Sequence, residues 1–128
     1  ELDPSHVFSG DFSLESGARA AQAWLDLAHR PSALFCQSDQ MAFGFISELA
    51  RNGVSVPDDV SVVGFDDIDI ARRFIPALTT VRQPRKKLGL YAAQMLIDHV
   101  GTNASPAIET TILEVELIVR GSTRAVDD

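Results

Sequence analysis

Apolar positions along this chain fall into two repeats, short valine-rich runs and longer stretches with helical spacing. The most continuous run is Val60-Ser61-Val62-Val63-Gly64-Phe65, with Pro57-Asp58-Asp59 before it and Asp66-Asp67 after it. A run this short between turn residues predicts a strand buried on both faces. Such strands belong to parallel sheets covered by helices. Upstream, Val7-Phe8-Ser9 predicts a short strand. Ser13 is placed to cap a helix whose stripe is Gly17, Ala20, Ala21, Trp24 and Leu27, ended by His29-Arg30-Pro31. Ala33 to Cys36 is the next strand, and Ser38-Asp39 leads into a helix from Gln40 to Arg51 closed by Asn52-Gly53. Downstream, Ile68 to Phe74 predicts a short irregular helix and Leu78 to Arg82 a strand. A further helix runs from Pro84 to about Val100, with Leu88, Tyr91, Ala92, Met95 and Leu96 facing inward. Residues 101–107 read as a loop. Leu113, Val115, Leu117 and Val119 alternate with Glu114, Glu116 and Arg120, the pattern of a strand with one wet face. Strand and helix in alternation give an α/β fold, a mainly parallel sheet with helices on both faces.

The two ends of that sheet differ in chemistry. Loops entering strands carry Pro31, Pro57 and Pro76, whereas loops leaving strands carry Phe12, Ser38-Asp39, Asp66-Asp67 and Gln83. Right-handed crossovers put all the exits on one edge, where ligands of open α/β sheets bind. An aromatic face, a hydroxyl, carboxylates and an amide there suit a small molecule rich in hydroxyl or amine donors. Asp66 is the foremost candidate, since an acid at a strand exit needs a partner. Ser38 or Asp39 also reads as a helix cap, for Asp39 on equal terms with ligand contact, Phe12 also as a plug under its loop, and Asp67 as the start of a turn or helix.

The helix from Gln40 to Arg51 changes the picture again. Ala42, Phe45 and Leu49 form one apolar stripe, and Phe43, Ile46 and Ala50 a second on another side. A helix apolar nearly all round is buried on more than one side. The same chain could cover it, but its elements are too few to do so easily, which predicts a two-fold dimer interface with Phe43 at its centre and Phe74-Ile75 alongside.

Composition narrows the function by exclusion. The 128 residues carry a net charge of −7, and the longest basic run is Arg85-Lys86-Lys87. That is no electrostatic footprint for nucleic acid, so any DNA contact is expected from another segment. Cys36 is the only cysteine and lies in an apolar run, which predicts a buried structural thiol and excludes an internal disulfide or thiolate zinc cluster. His6, His29 and His99 lie away from the strand exits, and there is no nucleophile elbow or glycine-rich phosphate loop. No catalytic residue, metal or cofactor is therefore expected, and the chain is expected not to be an enzyme. Asp66-Asp67 does not complete a receiver-type acidic pocket, because Gly10-Asp11-Phe12 supplies a single acid. No apolar run reaches the length of a membrane span, and Glu1-Leu2-Asp3-Pro4 has neither the basic start nor the apolar core of a signal peptide. A cytoplasmic location without membrane contact is expected.

Four blocks carry a resemblance. Gly10-Asp11-Phe12, the stretch Phe35-Cys36-Gln37-Ser38-Asp39-Gln40-Met41-Ala42-Phe43-Gly44, the stretch from Val56 to Asp67, and Pro76 to Pro84 resemble the LacI/GalR family of bacterial transcription regulators. The close from Glu116 to Thr123 is similar to that family's ending, and Phe35 to Asp39 with Arg120 to Arg124 resemble its nucleoside-responsive members. The resemblance covers nearly the whole chain in order. It implies the later portion of a two-lobed, periplasmic-binding-protein-like (type I) effector domain. Residues 1–83 would belong to the carboxyl-terminal lobe, 84–107 would be a crossover helix of the amino-terminal lobe, and 108–128 would return to the first. It implies that Asp66, Phe12 and Ser38 face a sugar or nucleoside effector, with Gln83 where the chain crosses between lobes. It further implies a homodimer that touches operator DNA through a separate helix-turn-helix head. The competing expectation is a sugar-binding protein of the same fold without a DNA-binding head.

Overall fold

The computed structural model describes residues 4–100 and 110–125. The chain divides into two compact units, Glu1–Arg82 with Leu117–Asp128, and Gln83–Glu116. In the first unit a 3-10 turn at Pro4–His6 precedes helix α1, Leu14–Leu25. Strand β1 spans Ala33–Phe35, helix α2 Asp39–Arg51, strand β2 Ser61–Asp66 and strand β3 Thr79–Arg82. The final strand, β4, spans Glu116–Ile118, and the sheet order is β1-β2-β3-β4. β1 pairs with β2 and β2 with β3, both parallel.

The α/β class with a mainly parallel sheet is the one the sequence implies. The central strand is less enclosed than its valines suggest. Val62 and Gly64 are buried, whereas Ser61, Val63 and Phe65 are half-exposed. On that second side Phe35 and Phe65 meet edge to face, ring centroids 6.4 Å apart. The core lies between α1, α2 and the buried side of the sheet, with Trp24, Phe45, Leu49, Val62 and Leu78 among its members. Trp24 meets Phe45 edge to face at 6.2 Å, and its indole N–H donates to the Pro31 carbonyl at 3.2 Å, so the ring's polar atom is satisfied inside the core.

Two glycines explain how closely the helices approach. A Cβ at Gly17 would collide with the backbone of Met41, and one at Gly44 with the backbone of Leu14 and Ala18. The start of α1 therefore lies directly on α2, backbone against backbone.

Several expectations need correction. Val7-Phe8-Ser9 forms no strand. A strand needs a ladder partner, and a cleft of about 540 Å³ lies between this segment and β1, lined among others by Phe8, Phe12, Cys36 and Phe45. Residues 68–74 make turns rather than a helix. The predicted strand over 113–119 shrinks to β4, and its facing differs: Leu117 and Val119 are exposed at 58% and 70%, while Ile118 and Arg120 are half-buried. Arg120 turns inward because its guanidinium finds partners there, as described below.

Phe43 and Ile46 are buried within the chain itself, because the segment after β2 folds back so that Phe74 lies on Phe43 with centroids 4.6 Å apart. Of the residues expected at a dimer interface, Ala50 is exposed, Phe74 is half-buried and Ile75 is 90% exposed. Within that set the chain covers Phe43 itself and leaves Ile75 and Ala50 at the surface.

Residues Gly121 to Thr123 stitch the entry end of the sheet. The Val62 N–H donates to the Ser122 carbonyl at 2.8 Å, the Ser122 hydroxyl donates to the Val62 carbonyl at 2.6 Å, and the Thr79 N–H donates to that hydroxyl at 2.8 Å. One fully buried serine thus closes polar groups of both β2 and β3.

The second unit contains helix α3, Arg85–His99, entered through Pro84 without a side-chain cap. Its expected inward stripe is exposed, with Leu88 at 53%, Tyr91 at 51% and Leu96 at 69%. Among the described residues of this unit, one helix has no second layer to bury that surface. The predicted loop at 101–107 lies outside the described residues.

Candidate functional site

The exits of β1 and β2 are neighbours because the strands are parallel, and the entry of α2 lies over them. Ser38 is the N-cap of α2, 5% exposed, and its hydroxyl accepts from the Met41 N–H at 3.2 Å. The capping reading of Ser38 therefore holds, and its hydroxyl stands at the exit of β1. Phe12 stands at the entry of α1 with a left-handed backbone (φ 65°) and its ring 59% exposed, not plugged into the core. The turn before it is fixed locally, with Asp11 accepting from the Ser13 N–H and hydroxyl while Ser13 caps α1. Those bonds, with one from the Ser16 hydroxyl side, hold the Asp11 carboxyl well below the usual carboxylate range. Gly17 beside Met41 brings the entry of α1, which Phe12 precedes, next to the entry of α2 that Ser38 caps. Gln83 is the first residue of the second unit. The cleft near β1 is lined by Phe12, Cys36, Gln37 and Met41 but not by Ser38 or Asp66.

Asp66 ends β2 with φ 118°, and Asp67 follows at φ 51°. Two adjacent non-glycine residues in this region cost on the order of 1–3 kcal/mol each and persist only where neighbours over-determine them. The neighbours are present. Beneath the turn lies Asp39, fully buried, whose Oδ2 accepts from the Ile68 N–H at 2.9 Å and whose Oδ1 accepts from the Thr80 hydroxyl at 2.5 Å. Thr80 Oγ1 in turn accepts from the Asp67 N–H at 3.4 Å. Beside the turn, Asp67 accepts from Arg82 Nε and from Arg120 Nη2, both at 2.6 Å, and Arg120 Nη1 donates to the Leu78 carbonyl at 2.8 Å.

These surroundings move the carboxyls in opposite directions. Burial pushes Asp39 up, against the bonds from Thr80 and Ile68 that favour its charged form, and the negative Asp66 and Asp67 add to the rise. Burial also acts upward on Asp67, but the bonds and charges of Arg120 and Arg82 overcome it and hold that carboxyl low. Cys36, buried at the end of β1 near Asp39, has its thiol pushed up to about 12, so it is inert as a nucleophile. Among the described residues no cluster of His, Cys, Asp and Glu is arranged to hold a metal ion.

Comparison with known proteins places this geometry. A family profile described as a periplasmic binding protein-like domain matches residues 4–123. The HTH-type transcriptional repressor CytR of Escherichia coli (strain K12) is 43% identical over 98% of this chain and 36% of its own length. The chain belongs to the LacI/GalR family. It carries the periplasmic binding protein-like domain of such regulators, and the HTH-type transcriptional repressor PurR of Photobacterium profundum is 40% identical over 92% of this chain and 35% of its own length. A putative LacI transcriptional regulator from Bacillus cereus subsp. cytotoxis superposes with a TM-score of 0.91 at 31% identity, covering 97% of this chain and 44% of that one. A LacI family regulator from Enterococcus faecium, solved with bound ribose, gives 0.79 at 33% identity, covering 91% and 42%. The chain spans about a third of the length of the curated relatives it matches.

Within this LacI/GalR domain, residues the sequence left unassigned do most to shape the edge. Asp39, offered as a cap or a ligand contact, does neither: Ser38 caps, and Asp39 turns under the Asp66 turn. Thr80 read only as a β-branched strand residue, and Arg120 as one of a wet face. One signal was available. Gly64 interrupts a valine strand, and a strand glycine often marks a close approach. A Cβ there would collide with Asp39 Oδ1 and Leu78 Cδ2.

Proposed function

We propose that the first unit is the effector-binding lobe of a LacI/GalR-type repressor, taking a sugar or nucleoside at the edge formed by Phe12, Ser38 and Asp66. The observation that carries this reading is the Asp66–Asp67 turn, two left-handed aspartates at a strand exit held by a buried network. Strain so over-determined is spent where a group must be presented in one orientation. In this reading Asp66 accepts hydrogen bonds from ligand hydroxyls or amines, Phe12 covers an apolar ring face, and the Ser38 hydroxyl lies beside them. Gln83 opens the second unit, which we assign to the other lobe, with 108–128 returning to the first. Ligand then acts through its different affinity for two arrangements of the lobes. Operator DNA is contacted by a helix-turn-helix head outside this chain, as its acidity requires. The protein works as a cytoplasmic homodimer and performs no turnover. We place the dimer contact around the exposed Ile75 and Ala50, with Phe43 supporting from beneath.

The test is Asp66→Asn in the intact regulator, titrated by calorimetry with D-ribose, adenosine and cytidine. Charge-assisted bonds worth roughly 1.5–3 kcal/mol predict about 10–100-fold weaker binding of whichever compound the parent binds. Undiminished affinity in a folded variant refutes the assignment.

A further inference from the structure

The edge just described needs the Asp66 carboxylate in one place, and the turn that follows β2 bears on where it points. β2 ends at Asp66. The first backbone group beyond the two left-handed residues is the Ile68 N–H, and it donates to a side chain from α2, Asp39 Oδ2, at 2.9 Å. The same carboxylate holds β3 through the Thr80 hydroxyl, at 2.5 Å from Oδ1. Thr80 Oγ1 accepts from the Asp67 N–H, so one hydroxyl and one carboxylate secure both peptide groups that follow Asp66. The clamp fits only because position 64 lacks a Cβ, which would occupy the place of Asp39 Oδ1. Asp39 is fully buried, so it touches no ligand itself.

From this geometry we infer that Asp39, seated over Gly64 and bonded to Thr80 and Ile68, is a positioning residue that sets the orientation of the Asp66 carboxylate toward ligand. The inference rests on the reading of Asp66 as a ligand contact. It differs from a stability role in its consequences: loosening the clamp releases the turn and weakens binding, while the core beneath stays closed. It also makes Gly64 and Asp39 interdependent. In the parent, a methyl at position 64 expels the carboxylate and opens the clamp. Once Asp39 is alanine there is no carboxylate to expel, and the methyl meets Leu78 Cδ2, the far end of a flexible side chain, so Gly64→Ala has nothing further in the clamp to release.

The experiment compares the parent with Asp39→Ala, Gly64→Ala and the double variant. Amide hydrogen exchange is followed at Ile68 and, as a core control, at Val62, whose N–H donates to the Ser122 carbonyl. Binding of D-ribose, adenosine and cytidine is measured in the intact regulator. Losing a hydrogen bond to a charged group predicts exchange at Ile68 about tenfold faster and binding about tenfold weaker in each single variant, with Val62 unchanged. The double variant should match Asp39→Ala. Leu49→Ala, a cavity in the same helix, should lower the melting temperature without weakening binding. Thr80→Val removes the hydroxyl and keeps the shape, and it carries the same expectations if Asp39→Ala does not fold. Unchanged Ile68 exchange, or faster exchange with full affinity, overturns the inference, as does a cavity variant that weakens binding equally. Full affinity in Asp66→Asn refutes the ligand contact separately, because exchange at Ile68 reports the clamp without ligand.

Discussion

Removing the Arg120 guanidinium tests whether the turn is pinned from its outer side. Arg120→Ala deletes the bond to Asp67 Oδ1 at 2.6 Å and the bond to the Leu78 carbonyl at 2.8 Å. The pair is largely sheltered, with side chains 15% and 9% exposed. Breaking a buried pair from one side costs roughly 3–5 kcal/mol. Here Arg82 stays on Oδ2, but its side chain is 48% exposed and contributes on the order of 1 kcal/mol or less. The expected cost is therefore about 2–4 kcal/mol. With a urea slope of about 1.5 kcal/mol/M for a small domain, the midpoint should fall by about 1.3–2.7 M. A double-mutant cycle with Asp67→Asn should return a coupling of about 1 kcal/mol or more. The acid limb adds a second reading. The Asp67 carboxyl is held below its unfolded value near 3.9, so its stabilisation is fully present above about pH 4 and is lost as pH falls through the lower folded value. Arg120→Ala should flatten that limb. A midpoint shift under about 0.3 M, or a coupling indistinguishable from zero, would show that the arginine is only a surface ornament.

Ser122→Ala leaves the Val62 carbonyl and the Thr79 N–H without their buried partner; at roughly 1–3 kcal/mol per unsatisfied group, the loss in a urea titration should be about 2–4 kcal/mol. Gly44→Ala puts a methyl into the Leu14 backbone, which cannot rotate away, and should cost about 3 kcal/mol by the same assay. Asp39 titrates with the opposite sign to Asp67: its folded value is raised, so burying its charge costs stability as pH rises above the ordinary carboxylate range, and Asp39→Asn should show a shallower decline there. In α3, hydrogen exchange across a concentration series should find residues 88–96 exchanging fast when dilute and protected as copies associate, given Leu90 at 72% and Leu96 at 69% exposure. Strong protection in the dilute monomer would contradict that.

What the sequence carried plainly was periodicity. α1 and α2 begin within a residue of where their caps and stripes place them, and β2 is one residue displaced from its valine run. These elements are specified locally, by Ser13, Ser38 and the spacing of apolar side chains. The errors arise where a residue's neighbour lies far along the chain. Val7 to Ser9 has a strand composition, but pairing depends on what lies beside it, and a cleft does. Phe43 looked like a surface anchor because the helix is apolar all round, and Phe74, thirty-one residues on, covers it. Arg120 looked solvated because alternation assigns faces and not partners, and its partners are at Asp67 and Leu78.

The same distinction separates the legible part of the site from the hidden part. Asp66 could be singled out because a strand exit is a position in the local pattern. What orients it could not, because Asp39 reaches Ile68 across 29 residues and Thr80 across 41. The sequence did offer two meanings for Asp39, a cap or a ligand contact, and both assume that an acid at a helix entry points outward. A fully buried carboxylate with two donors and a strand glycine beneath it is a third possibility. Its desolvation would be prohibitive without those donors, so Thr80, Ile68 and Gly64 are conditions for Asp39 rather than additions to it. That is why the four are better read as one device than as separate substitutions waiting to be ranked, and why the double variant at positions 39 and 64 tests their interdependence, which neither single variant reports.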